Sequence, residues 1–434
     1  MRRKLVAVVA AVVLAPFAAV GCGENGGSSA KVDKDDQQVA VASTKDLAAK
    51  GAKGATGKAG TSSGPTVKAP ESTTASPVQL IVTPTAGQTD VPLSAEISVG
   101  APGGTKISAV TLRDEDGKIV AGGLREDGFS WVPSNPLEAR EAYVASVIAT
   151  APDGRTTTAT THFTTMSRPA RTTGTGLYLF DGRTYGVAMP IVVEFSPGIK
   201  KADRAAVQRR MFVRTDPPQP GVWSWTANGT QAYYRAPQFW RPGTEIAVRI
   251  GVGGLPTGKG RYGDRDRSAT AKIGRSFVMK VENKTKKMTV LEDGKVVRTM
   301  PVSLGKKSTP SASGTMVVME KLAQTVFDTT AELGPVEGYR IDIQYAQRLT
   351  WSGQYIHSAP WSVGAQGRRN VSHGCVNLSP ASARWLFGRT LTGDPITVRG
   401  TGSSLAYGNG WTAWNVSWPE FVKGSALPVP ASLK

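Results

Sequence analysis

Phe277-Val278-Met279-Lys280-Val281, then Met288-Thr289-Val290-Leu291, then Lys295 through Val302 form three short apolar-rich runs, separated by Asn283-Lys284 and by Asp293-Gly294. Successive side chains of a strand point to opposite faces, so short alternating runs read as strands with one buried face. Asp-Gly between two such runs marks a tight hairpin, because both central residues of that turn need positive φ. The stretch therefore predicts a β-meander that opens a folded unit near Arg275. Working outward toward the carboxyl end, β-like patterning continues through Tyr355, and a short helix is expected after Ser379-Pro380, ending near Gly388. Working back toward the amino end, Val110-Thr111-Leu112-Arg113 leads through Asp116-Gly117 to Lys118-Ile119-Val120. Further on, Ala142-Tyr143-Val144-Ala145-Ser146-Val147-Ile148 leads through Asp153-Gly154 to a Thr-rich return ending at Phe163.

The fold class expected from this pattern is mainly β. Two sandwiches in tandem, over 77–167 and 168–272, precede a β-rich unit over 273–400 and a Trp-rich tail over 401–434. Val187 to Phe195 loosely echoes Val91 to Ile97, which fits a repeated module, and one helix is expected at Lys201 to Arg210. Trp411, Trp414 and Trp418 carry too much apolar surface to be left in water, so the tail is expected to pack back on the preceding units. Gly253-Gly254-Leu255-Pro256-Thr257-Gly258-Lys259-Gly260 nearly matches a phosphate-binding loop. Gly260 stands where a metal-binding hydroxyl is needed and Pro256 lies inside it, so a surface loop is expected instead.

Residues 1–76 follow other rules. Met1-Arg2-Arg3-Lys4 is a basic start, and Leu5 to Val20 is an apolar run of sixteen residues, short for a membrane span and suited to a secretory signal. It ends in Ala19-Val20-Gly21-Cys22, which resembles the bacterial lipobox, with Ala19 where Leu is usual. Cys22 is the expected lipidation site after removal of residues 1–21, and 22–76, rich in Gly, Ser, Ala, Lys and Thr, is expected to be a flexible tether. The expected location is the extracytoplasmic face of the cell membrane, with the lipid in the outer leaflet. A net charge of +19 suits an anionic wall or membrane surface; spread thinly on an exported chain, it does not point to nucleic acid.

The chain has 2 cysteines and 3 histidines. With Cys22 lipidated, Cys375 has no disulfide partner in a compartment that oxidises thiols, so it needs a chemical reason to be there. His357 and His373 both lie within eighteen residues of it, in His357-Ser358 and Ser372-His373-Gly374-Cys375-Val376-Asn377. An imidazole is the usual base for a thiol nucleophile, Gly374 permits a tight turn that points amides at a developing oxyanion, and Asn377 offers a donor and an acceptor. These residues alone leave either histidine open as the base. Two blander readings compete. His357, His373 and Cys375 could be three metal ligands, but the paired spacings of zinc sites are absent. An inert buried thiol with incidental histidines would leave the clustering unexplained. No metal or cofactor is expected.

The segment Tyr355-Ile356-His357-Ser358-Ala359-Pro360-Trp361-Ser362-Val363-Gly364, followed by Ser372 to Leu378, resembles the signature of the L,D-transpeptidases, the YkuD-type catalytic domain. The meander with Pro301-Val302-Ser303-Leu304-Gly305-Lys306 is similar to that domain's first strands, and the whole layout resembles lipoprotein members with two Ig-like domains ahead of it. The resemblance implies that Cys375 attacks the carbonyl before the terminal D-Ala of a peptidoglycan tetrapeptide stem. D-Ala leaves, and a side-chain amine of a second stem resolves the thioester into a 3→3 cross-link. It assigns His357 as base, oriented by Ser358, and the backbone of His373, Gly374 and Cys375 as the oxyanion hole. Tyr339, Ser352, Gly353, Ser372 and Asn377 would line the donor site, with Trp361 in its wall and Trp351 where Tyr is usual. Carbapenem-type inhibitors are expected to acylate Cys375. An L,D-carboxypeptidase trimming the same stem would use the same residues, whereas a non-enzymatic wall-binding lipoprotein would leave the Cys/His cluster idle. Sortases carry a different cysteine motif, and NlpC/P60-type peptidases place Cys before His.

Overall fold

The computed structural model describes residues 80–434 apart from 101–103, 329, 331–333 and 335–339. The expected signal segment, Cys22 and the expected tether lie outside the described residues, as does Tyr339.

The first module is two four-stranded sheets face to face. Ala142–Thr150 and Thr156–Thr165 form the long hairpin read around Asp153-Gly154, paired from Ala142–Thr164 to Thr150–Thr156. Alternation works as expected: Tyr143, Ala145, Val147 and Ala149 point inward while Val144 and Ile148 stay exposed. Phe163 of the same hairpin and Ile97, Leu112 and Trp131 of the other strands close the core.

The second module pairs a four-stranded sheet with a six-stranded one. Its helix is shorter than the expected 201–210, covering only Arg204–Gln208. Asp203 offers no side-chain cap, which leaves nothing to hold an earlier start. The expected surface loop at 253–260 is also corrected. Pro256–Gly258 pairs with Arg261–Gly263 at the edge of the larger sheet. Gly253 and Gly254 pack so closely on the first module that an added Cβ would meet Pro136 at 2.8 Å and Leu93 at 2.5 Å. Those glycines serve close packing between modules instead of a ligand.

In the third unit the meander forms as Phe277–Glu282, Lys287–Glu292 and Lys295–Pro301. Asp293 and Gly294 sit at φ 48° and 80°, the turn their sequence demanded. The parallel strand Pro395–Arg399 and then Gly314–Val317 complete this five-stranded sheet. A second sheet of four strands runs Glu320–Asp328, Arg340–Arg348, Tyr355–Ser358, Val376–Leu378. Phe277, Met279, Val290, Ile356, Val376 and Leu378 share the core with helix Pro380–Arg389. That helix starts where expected because Pro380 fits its first turn and the Ser379 hydroxyl accepts from Ser382 N–H at 3.3 Å.

The tail does pack back. Trp411, Ala413 and Phe421 are buried in the core of the second module, which also takes in Val317 and Met319 of the third unit. Arg235 ties it down: its guanidinium donates to Ala413 O and Val416 O, each at 3.0 Å, between the rings of Trp414 and Phe421.

Candidate active site

Two neighbouring parallel strands bring His357 and Cys375 together, His357 within the first and Cys375 just before the second. Ile356 stands opposite Val376, and His357 opposite Asn377. In parallel register, opposed residues point to the same face, so Tyr355, His357 and Asn377 share one face. Cys375 precedes the first paired residue and stands beside Tyr355. His357 and Cys375 are thus diagonal neighbours on strands that run about 5 Å apart.

His357 is buried, and its Nδ1 lies 2.8 Å from Ser358 O. A carbonyl only accepts, so Nδ1 carries the proton, and in the neutral ring the lone pair is on Nε2. Burial holds the imidazole below the usual histidine range, opposed by the Ser358 carbonyl and the Asn377 side chain. His357 is therefore a neutral imidazole at neutral pH. Phe327 packs edge-on at 5.4 Å and Trp361 lies 6.0 Å away, so the ring is walled by aromatics.

Cys375 is half-buried, and its Sγ is 3.8 Å from Gly353 O. Desolvation pushes the thiol up to about 11, against a weaker pull from the backbone of Tyr355. The resting group is a neutral thiol, which would need a base to become a nucleophile.

The bend before Cys375 is held from several sides. Ser372 Oγ donates to Cys375 O at 2.7 Å and accepts from Gly374 N–H at 3.1 Å. Ser372 O accepts from Lys306 N–H at 2.8 Å, and Ser311 Oγ donates to Gly374 O at 2.6 Å. Gly374 has φ +132°, a conformation that favours glycine. His373 lies half-buried in the same bend.

The remaining residues singled out in the sequence fall in distinct places. Gly353 flanks the thiol; Ser352 is tethered to the tail, its N–H donating to Asn409 Oδ1 at 3.0 Å and its Oγ accepting from Asn409 Nδ2 at 2.9 Å. Trp361 stands 55% exposed at the rim. Asn377 is 2% exposed, beside His357 in the parallel register, with Nδ2 donating to Ser362 Oγ at 3.2 Å and Oδ1 without a well-formed bond. Among the described residues no group of three or more His, Cys, Asp or Glu could hold a metal ion. Phe327 and Ser311 escaped the sequence reading. Phe327 lies on the strand Glu320–Asp328 and also packs, tilted, at 4.6 Å on Tyr355, a contact no local pattern announces.

Comparison with known proteins agrees with this layout. A model of the L,D-transpeptidase catalytic domain matches residues 276–398, and a bacterial Ig domain model matches 88–256. The chain is 35% identical over 352 residues to L,D-transpeptidase 2 of Mycobacterium tuberculosis (strain CDC 1551 / Oshkosh), covering 80% of this chain and 85% of the relative. It is 35% identical over 350 residues to L,D-transpeptidase 5 of Mycobacterium tuberculosis (strain ATCC 25618 / H37Rv), covering 79% and 74% respectively. A solved structure of an L,D-transpeptidase in complex with imipenem aligns at 34% identity and TM-score 0.45, over 53% of this chain and 100% of that one. Ig-like modules ahead of such a catalytic sheet define a modular transferase of peptidoglycan. The chain belongs to the L,D-transpeptidase family.

Proposed function

We propose that this chain forms 3→3 peptidoglycan cross-links through a thioester on Cys375. The observation that carries the reading is the His357 Nδ1–Ser358 O contact of 2.8 Å, which leaves Nε2 as the proton acceptor on the strand beside the thiol. Cys375 Sγ attacks the carbonyl that precedes the terminal D-Ala of a tetrapeptide stem, and its proton passes to His357 Nε2. The carbonyl oxygen gains charge beside the Cys375 N–H. Collapse breaks the amide bond, and D-Ala leaves as an amine that takes the proton from His357. The side-chain amine of a second stem then attacks the thioester, gives a proton to His357 and expels the thiolate, which recovers that proton. His373 stays near this path as a residue of the oxyanion segment. Ser352, Gly353, Trp361 and Tyr339 are proposed to contact the donor stem.

A β-lactam of the carbapenem class presents a strained amide to the same thiol, so its expected product is an acyl-enzyme at Cys375. The same reading places the folded part outside the cytoplasm, held to the membrane's outer leaflet by lipid on Cys22. The test is intact mass after incubation with a tetrapeptide donor. An adduct of donor minus D-Ala on the wild type, absent from Cys375→Ala, is expected. No adduct on folded wild-type protein would overturn the proposal, and loss of the adduct to water alone when an amine acceptor is present would make the enzyme a carboxypeptidase.

A further inference from the structure

We infer that Ser311 is a positioning residue that aims the Cys375 N–H at the place where the substrate's carbonyl oxygen gains charge; the inference rests on the thioester reading above. Ser311 is 1% exposed, so its hydroxyl must find its partners inside the protein. It accepts from Gly305 N–H at 2.9 Å, and its own hydrogen goes to Gly374 O at 2.6 Å, because a carbonyl cannot donate. The Gly374 carbonyl and the Cys375 N–H belong to one planar trans peptide and point in opposite directions. Whatever fixes the first fixes the second.

This peptide needs fixing. Gly374 at φ +132° lacks the side chain that would bias its backbone, so rotation of the peptide about its flanking bonds meets little steric resistance there. Flipped, the peptide would present its carbonyl to the reacting oxygen and repel the charge it should stabilise. Ser311 holds the productive orientation from behind, anchored in turn on Gly305, whose neighbour Lys306 donates to Ser372 O at 2.8 Å. The Gly374 N–H is already taken by Ser372 Oγ at 3.1 Å, whereas the Cys375 N–H has no acceptor among the described residues. The donor left open is the one that Ser311 orients. A hydrogen bond accepted at the carbonyl also polarises the peptide and strengthens its N–H as a donor.

The experiment compares two reactions of the same sulfur. Acylation, by the tetrapeptide donor or by p-nitrophenyl acetate, passes through an oxyanion. Alkylation by iodoacetamide is a displacement that forms none. Losing a whole oxyanion donor slows catalysis by roughly 10²–10³, and losing only its aim should cost less. Ser311→Ala is therefore expected to slow both acylations about 10- to 100-fold, with the loss in kcat more than in KM. Its iodoacetamide rate and pH profile should match the wild type, and Ser311→Thr, which keeps the hydroxyl, should acylate near normally. Equal losses in acylation and alkylation would overturn the inference in favour of general support of the loop, as would no loss in either. If wild type fails with the tetrapeptide but the p-nitrophenyl acetate contrast persists, the substrate reading falls and the role of Ser311 stands.

Discussion

At the scale of single residues, the resting charge state of the site sets how the thiol behaves. Burial raises Cys375 to about 11 and lowers His357, and both shifts favour the uncharged pair. A preformed thiolate–imidazolium pair would react with an alkylating agent at a rate already level by neutral pH. Here the thiolate fraction should climb about tenfold per pH unit while pH stays below the thiol's value. The expected outcome is an iodoacetamide rate that keeps rising from pH 7 to pH 10; a plateau below pH 8 would refute the neutral resting pair. The residues differ in how visible they were in sequence. Cys375 and His357 stand out because Cys and His are so scarce in this chain. Ser311 sits in Ser308-Thr309-Pro310-Ser311-Ala312-Ser313, where nothing distinguishes one hydroxyl from the next. Its role comes from a bond to a carbonyl 63 residues further on.

At the scale of elements, strands were legible where one face is buried and the other wet, as in Phe277–Glu282 and Ala142–Thr150. The region from 306 to 350 was harder. Glu320–Asp328 and Arg340–Arg348 pair over a long antiparallel register, yet the first leaves Val326 exposed and buries little, so its pattern carries weak period-2 contrast. The tail was legible only as three tryptophans needing cover; what covers them is set by Arg235. That guanidinium has no carboxylate partner in any ion pair of the described residues, and burial pulls it down to about 10. Carbonyls and ring faces replace the missing acid. Arg235→Ala should cost at least about 2 kcal/mol and lower the thermal midpoint, since several charge-assisted bonds and the stacking go together. Arg235→Lys should not restore it, because a lysine lacks the planar fork that reaches Ala413 O and Val416 O together. Limited proteolysis after residue 400 gives a second readout, with faster release of the tail expected in both variants. Wild-type stability in both variants would remove Arg235 from its role as the tie.

At the scale of the whole molecule, the second module and the catalytic unit share a seam. Gly186 N–H donates to Thr392 O at 2.8 Å and Ala188 N–H to Gly393 O at 3.0 Å. Beneath these lies Asp394, fully buried, with Oδ2 accepting from Leu391 N–H at 2.7 Å and Oδ1 without a partner among the described residues. Burial pushes its carboxyl up to about 7, only partly countered by Leu391, Arg275 and Lys321, with Glu292 acting in the same direction as burial. An unfolded Asp titrates near 4. Between those values the fold holds a proton that the unfolded chain has lost. Stability should then fall as pH rises from about 4 to about 7 and level off above that. Asp394→Asn keeps an acceptor for Leu391 without the charge, so its thermal midpoint should change less than the wild type's between pH 5 and pH 8. Identical pH dependence in the two proteins would show that Asp394 is not the group responsible.

The double contact between Ser352 and Asn409 also sets an order of events in biosynthesis. Ser352 sits beside Gly353, whose carbonyl faces the Cys375 sulfur, and its anchor lies 57 residues downstream in the tail. A ribosome that has delivered His357 and Cys375 has still not delivered the residue that fastens this wall. A chain made from its amino end therefore holds Cys375 before it holds the residue that fastens the wall beside that thiol.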